Sequence, residues 1–139
     1  MPIKTTAEAR DVINQMAVDG IAATVQVAGD VPNVAPSSPI DWCRVTINHV
    51  DGLQETLANF NGVRRYNRTG TIIVQCFAPL ADRGFSRAEE IAEQAVRVYE
   101  GKAGAGGIWF RNVRSVEIGA GEGWYQFNAI AEFDYSLMR

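Results

Sequence analysis

The stretch GWYQFNAIAEFDY, residues 123–135, alternates with a period of two. Tyr125, Phe127, Ala129, Ala131, Phe133 and Tyr135 face one way, and Gln126, Asn128, Glu132 and Asp134 the other. Successive side chains of a strand leave opposite faces of its sheet, so this is a strand with one buried and one wet side. One wet side is the mark of an antiparallel sheet. Immediately upstream, IWFRNVRSVEIG (108–119) mixes apolar residues with Arg111, Asn112, Arg114 and Glu117, and GAGEG (119–123) supplies the turn of a hairpin between the two.

Earlier segments fit the same sheet. Trp42–Val50 reads as a strand with Cys43, Val45 and Ile47 on one face and Arg44, Thr46 and Asn48 on the other, and a further strand is expected from about Ala22 to Ala28. TIIVQCFA (71–78) is nearly continuously apolar and predicts a central strand covered on both faces, ended by Pro79. DVPNVAPSSPID (30–41), with three prolines, is a loop.

Two helices complete the pattern. Over Thr5–Asp19, Thr5 with Glu8 forms a capping box, Ala9, Val12, Ile13 and Met16 form a stripe, and Gly20 is the stop. In FSRAEEI (85–91), Ser86 and Glu89 form a second capping box. It opens a helix whose stripe is Ala88, Ile91, Ala92, Ala95, Val98 and Tyr99, stopped at Gly101. The expectation is one α+β domain over 1–139, a mainly antiparallel sheet with two helices on one face.

Composition narrows the function. The chain has 139 residues, 47% apolar and 21% charged, which is ordinary globular usage. A net charge of −3 and an isoelectric point near 5.1 argue against general nucleic-acid binding, which carries a basic face. No apolar run has the ~20 residues of a membrane helix, and MPIKTTAEAR lacks the core of a signal peptide, so a cytosolic origin is expected.

Chemical motifs are weak. Cys43 and Cys76 sit in apolar strand patterns and His49 is the single histidine, so the pattern assigns no metal site and no redox role. GKAGAGG (101–107) carries its lysine at the wrong end for a phosphate loop and precedes a strand; it reads as a connector. His49 shares a face with Val45 and Ile47 and reads as structural rather than as a catalytic base. Glu89, Glu90 and Glu93 lie on the wet side of a helix, not across a cleft. No catalytic, cofactor or metal residue is expected.

One segment stands apart. GVRRYNRTG (62–70) places Arg64, Arg65, Tyr66, Asn67 and Arg68 in a connection, 51–70, too long for an idle loop in a small domain. It reads as a projecting arm. Planar donors beside an aromatic suit a protein interface and equally a phosphate backbone.

The succession VPNVAPSSP, DWCRVTI, RRYNRTGTIIVQCFAP, DRGFSRAEEIAE and GEGWYQFNAIAEFDY resembles the tail terminator, or tail completion, proteins of long-tailed bacteriophages, including the lambda-type minor tail protein. The resemblance covers nearly the whole chain, with Arg68, Thr69 and Gly70 and then Gly123, Trp124 and Tyr125 at matching places. It implies a non-enzymatic virion subunit, assembled in the host cytoplasm. Such subunits form a hexameric ring at the head-proximal end of the tail, where they cap the tube, stop its polymerisation and meet a head-completion connector. By the same resemblance Arg64, Arg65, Tyr66, Asn67 and Arg68 contact a neighbouring subunit or the tube, and DNA passes through the lumen without specific binding. Rival readings are a head-completion, neck or tube ring protein, or a nucleic-acid module using the arginines.

Overall fold

The computed structural model describes residues 3–21, 26–29, 40–54, 65–81 and 83–138. In chain order the elements are α1 (Thr6–Gly20), β1 (Gln26–Gly29), β2 (Trp42–Gln54), β3 (Arg65–Pro79), α2 (Gly84–Tyr99), β4 (Ala103–Gly104), β5 (Ile108–Gly121) and β6 (Trp124–Met138). Glu122 and Gly123 form the turn from β5 to β6, with φ of 52° and 87°. Two positive φ angles are what a tight hairpin needs to match the twist of its strands, and glycine at the second place meets the requirement without strain.

The six strands form one sheet. The strand order is β1-β2-β3-β6-β5-β4, antiparallel throughout except for the short β1–β2 pair. Both helices pack on one face, as the sequence predicts. The expected alternation of β6 is seen in the burial of Phe127, Ala129, Ala131, Phe133 and Tyr135. Strand β1 begins at Gln26; 22–25, like the proline-rich 30–39, lies outside the described residues. Among the described residues no helix is long and apolar enough to cross a membrane.

Small residues bring the helices close. Ala9 and Ala17 of α1 and Ala88, Ala92 and Ala95 of α2 are fully buried. A side chain at Gly20 would lie 2.5 Å from the Val98 Cγ2. Across this seam the Tyr99 hydroxyl donates to the Ile13 carbonyl at 3.0 Å, which satisfies a polar group that burial would otherwise leave orphaned. Thr5 caps α1 by accepting the Glu8 N–H at 3.1 Å, while the Glu8 carboxylate takes the N–H of Lys4 rather than that of Thr5.

Two expectations are corrected. Helix α2 does not open on a Ser86–Glu89 box: it starts at Gly84, with Arg83 at the N-cap in a left-handed conformation and no side-chain cap. The reason is packing, since a Cβ at Gly84 would sit 2.0 Å from the Pro79 carbonyl oxygen, and only glycine lets the helix begin directly against the end of β3. Arg87 fastens that junction, donating to Asp41 Oδ1 and to the Pro79 carbonyl, each at 3.2 Å.

The second correction concerns β3, which among the described residues is covered by helices on one face only. Ile72, Val74, Cys76 and Ala78 are buried, while Thr71, Ile73, Gln75 and Phe77 are half-buried on the open face. Its continuous apolar run has another cause. On the open face Phe77 stacks on Trp42 at 4.4 Å and Trp42 meets Trp124 edge-on at 6.2 Å, so an aromatic cluster supplies cover there without a second helical layer.

Candidate functional site

The expected arm over 51–70 is narrower than the sequence implied. Asp51–Gln54 continue β2 and Arg65–Gly70 begin β3, paired from Gln54↔Tyr66 to His49↔Gly70, and β3 also pairs with β6 from Arg65↔Met138 onward. Residues 55–64, Arg64 among them, lie outside the described residues. Tyr66–Arg68 are therefore a strand inside the sheet, flanked on both sides, and Arg65 is paired, among the described residues, with β6 alone. The alternation that burial shows from Gly70 to Pro79 runs back through them, unmarked in the sequence because arginine and asparagine carry no apolar signal.

Strand alternation divides the candidate residues between two faces. In phase with Ile72 and buried Gly70, Tyr66 and Arg68 lie on the helix-covered side; Arg65 and Asn67 lie on the open side. There Arg65 Nε donates to Ser136 Oγ at 3.1 Å. The Arg68 guanidinium stands 5.7 Å over the Tyr66 ring, donates to the Asn67 carbonyl at 3.1 Å and packs on Gly52, where a Cβ would come within 2.9 Å of its Nη1. Tyr66 stacking fixes the direction in which that charge is offered.

The topology adds residues that spacing could not connect. His49 of β2 and Tyr135 of β6 join through Nε2 and the hydroxyl at 2.6 Å, with the Phe133 ring edge-on to the imidazole at 5.3 Å. Arg10 of α1 donates to the Ile47 carbonyl at 3.3 Å alongside. Burial, then the charges of Arg10 and Arg68, hold the His49 pKa below its ordinary 6.5; burial raises that of Tyr135 against the pull of the same two arginines. His49 Nδ1 is enclosed with no partner among the described residues, and Nε2 is turned to a tyrosine that is 2% exposed.

This arrangement predicts a pH dependence. A depressed folded-state pKa means that the unfolded chain binds more protons below pH 6.5, so stability is full above that value and falls as the pH drops through and below it. Urea midpoints should decline between pH 7.5 and 5.5, and His49→Gln should flatten the decline. An equally steep decline in the variant would remove His49 as its cause.

The open face carries a second set of features. Arg44 donates to Gln75 Oε1, with Nε at 2.7 Å, and Arg111 pairs with Glu132 at 3.6 Å and with Asp134. At the β5–β6 end a groove of about 260 Å³ is lined by Phe77, Ile118, Ala120, Trp124 and Gln126. Ile118 is 52% exposed, and along the same strand Trp109 is 69% exposed. Such apolar residues at a sheet margin fit a contact surface better than a solvated one.

Comparison with known proteins bears on the whole arrangement. No family model and no curated protein sequence matches the chain. Among solved structures, the sheath/tube terminator of PVC, an extracellular contractile injection system, in its extended state, aligns with all of this chain at a TM-score of 0.58 and 10% identity. The fold is similar to that of a tube terminator. This chain spans 58% of that longer terminator. A second solved structure, designated only by a sequence identifier, aligns over 92% of this chain and 90% of its own at a TM-score of 0.61 and 15% identity. At such identities the likeness lies in the fold, and the terminator shares the frame on which the arginine strand is mounted.

Proposed function

We propose that the chain is a tail terminator, a non-catalytic virion subunit that forms a ring, hexameric by the resemblance of its sequence, at the head-proximal end of a phage-type tail. In that role it caps the tube, stops its growth and offers a surface to a head-completion connector, while DNA passes through the lumen without specific contacts. The observation that carries this reading is the likeness in fold, over all of this chain and 58% of the other, to a sheath/tube terminator.

The sheet supports it through its edges. Strand β4 covers only Ile108 and Trp109 of β5, and β1 covers only Trp42–Val45 of β2, so beyond those stretches no described strand lies on the outer side of Phe110–Gly121, away from β6, or of Thr46–Val50, away from β3. The four long strands β2, β3, β6 and β5 alternate in direction. Because their number is even, a second copy set edge to edge in the same orientation brings its β2 antiparallel to the first copy's β5. A head-to-tail contact of this kind generates a ring when its rotation closes. Irregularities at Arg111/Arg114 and Glu117/Gly119 restrict which strand the edge accepts, guarding it against indiscriminate pairing.

Light scattering behind a sizing column tests the reading over a range of concentrations, with and without tail-tube subunits from the same source. A discrete ring of six copies, alone or on the tube, is expected. An open-ended ladder of larger species would make the protein a tube subunit instead, and a monomer under every condition would redirect attention to a nucleic acid as partner of the arginines.

A further inference from the structure

The β2–β3 register brings together two residues that the sequence leaves unconnected. Cys43 and Cys76 are direct cross-strand partners, both fully buried and both free thiols. Directly opposed residues share a face, here the helix-covered one, and in any antiparallel pair their Cα atoms are roughly 4.5 or 5.5 Å apart. Both separations fall inside the window of about 4.4–6.8 Å that a disulfide spans. On either side the register is unbroken, from Trp42↔Phe77 to His49↔Gly70, so the pair is held opposed.

We propose that Cys43 and Cys76 are a modification site: a latent cross-strand disulfide that closes by two-electron oxidation and locks β2 against β3. With a small disulfide as oxidant, the thiolate of one cysteine attacks a sulfur of that oxidant and expels one small thiolate, leaving a mixed disulfide. The thiolate of the second cysteine then attacks the protein sulfur of the mixed disulfide and expels the other. Both thiol protons are released, and the oxidant ends as two reduced thiols. The bond closes a loop over 44–75 that includes Arg65–Arg68, tying down the root of the ribbon that carries them. This inference stands apart from the terminator reading, since it needs only the register.

Burial controls when the bond forms. It pushes the Cys43 thiol up to about 12 and the Cys76 thiol higher still, where the neighbouring Cys43 adds to the shift. Thiolate is the attacking species, so the closed native sheet reacts slowly and a transiently opened one fast. In a reducing interior the pair stays open; in oxidising surroundings each opening of β2 from β3 is an occasion to close it.

The test compares native protein held in glutathione disulfide with protein unfolded in guanidinium and refolded in a glutathione redox buffer, each alkylated and weighed intact. The refolded product is expected to be free of interchain crosslinks, ~2 Da lighter and unalkylated, while native protein reacts many-fold more slowly. Its melting midpoint should rise on the order of 10 °C. Cys43→Ala and Cys76→Ala should each abolish the mass change. Two alkylated thiols after refolding, crosslinks only between chains, or a disulfide that forms but lowers the midpoint would each overturn the proposal.

Discussion

Replacing Gly70 by valine is expected to cost about 3 kcal/mol of stability and to lower the melting midpoint by roughly 10 °C. Gly70 sits on the helix-covered face of β3, between His49 of β2 and Phe133 of β6. A Cβ there would lie 2.2 Å from the Asn48 carbonyl oxygen and 2.5 Å from Phe133 Cζ. The carbonyl belongs to a backbone held in a ladder, and Phe133 is fully buried against His49 and Tyr135, so neither yields cheaply. The requirement is for space alone, since Gly70 is not among the residues of positive φ. Gly121, around which a Cβ would meet nothing within 4 Å, serves as the contrast: Gly121→Ala should be close to neutral. Paired thermal and urea melts decide. A loss under about 1 kcal/mol for the Gly70 variant would mean that the aromatic ring does not lie over that glycine.

The second large effect concerns assembly. In the proposed ring, the double variant Arg65→Glu/Arg68→Glu is expected to weaken self-association, or binding to tube subunits, at least ~100-fold, because like charge set against an acidic partner surface costs several kcal/mol. The single variants carry different information because the two guanidiniums leave opposite faces of β3. Loss through Arg65→Glu alone would put the partner against the open face, and loss through Arg68→Glu alone would put it against the helix side. Monomer melting should change little: Arg65 contacts Ser136 at the surface, and the Arg68–Tyr66 contact is a modest stabiliser at a half-exposed site. A double variant that assembles like the parent, judged by light scattering over the same concentrations, would remove these arginines from the interface.

Much of the fold was legible in local pattern. The alternation of 123–135, the stripe from Ala88 to Tyr99 and the glycine-containing hairpin turn are signals of period and backbone freedom. Each reappears as β6, α2 and a two-residue turn. Where local reading erred, packing between elements was responsible. Ser86 and Glu89 have the makings of a cap, but the helix begins earlier because Gly84 can lie against Pro79. The run over 71–78 looked covered on both faces because the aromatic cluster on the open side is built from three strands.

The candidate site divides along the same line. By itself the sequence determined that this is an α+β chain with a one-sided sheet, and that a cluster of arginines precedes the apolar run 71–78. Only the tertiary structure decided that β6 lies between β3 and β5, that Arg65 and Arg68 leave opposite faces, that Arg68 neighbours His49, Tyr135 and Arg10, and that Cys43 faces Cys76. Periodicity records whether each residue is buried, which is a local property. Which strand lies beside which, and in what register, is set by packing among segments far apart in the chain, and that information is in no single window of residues.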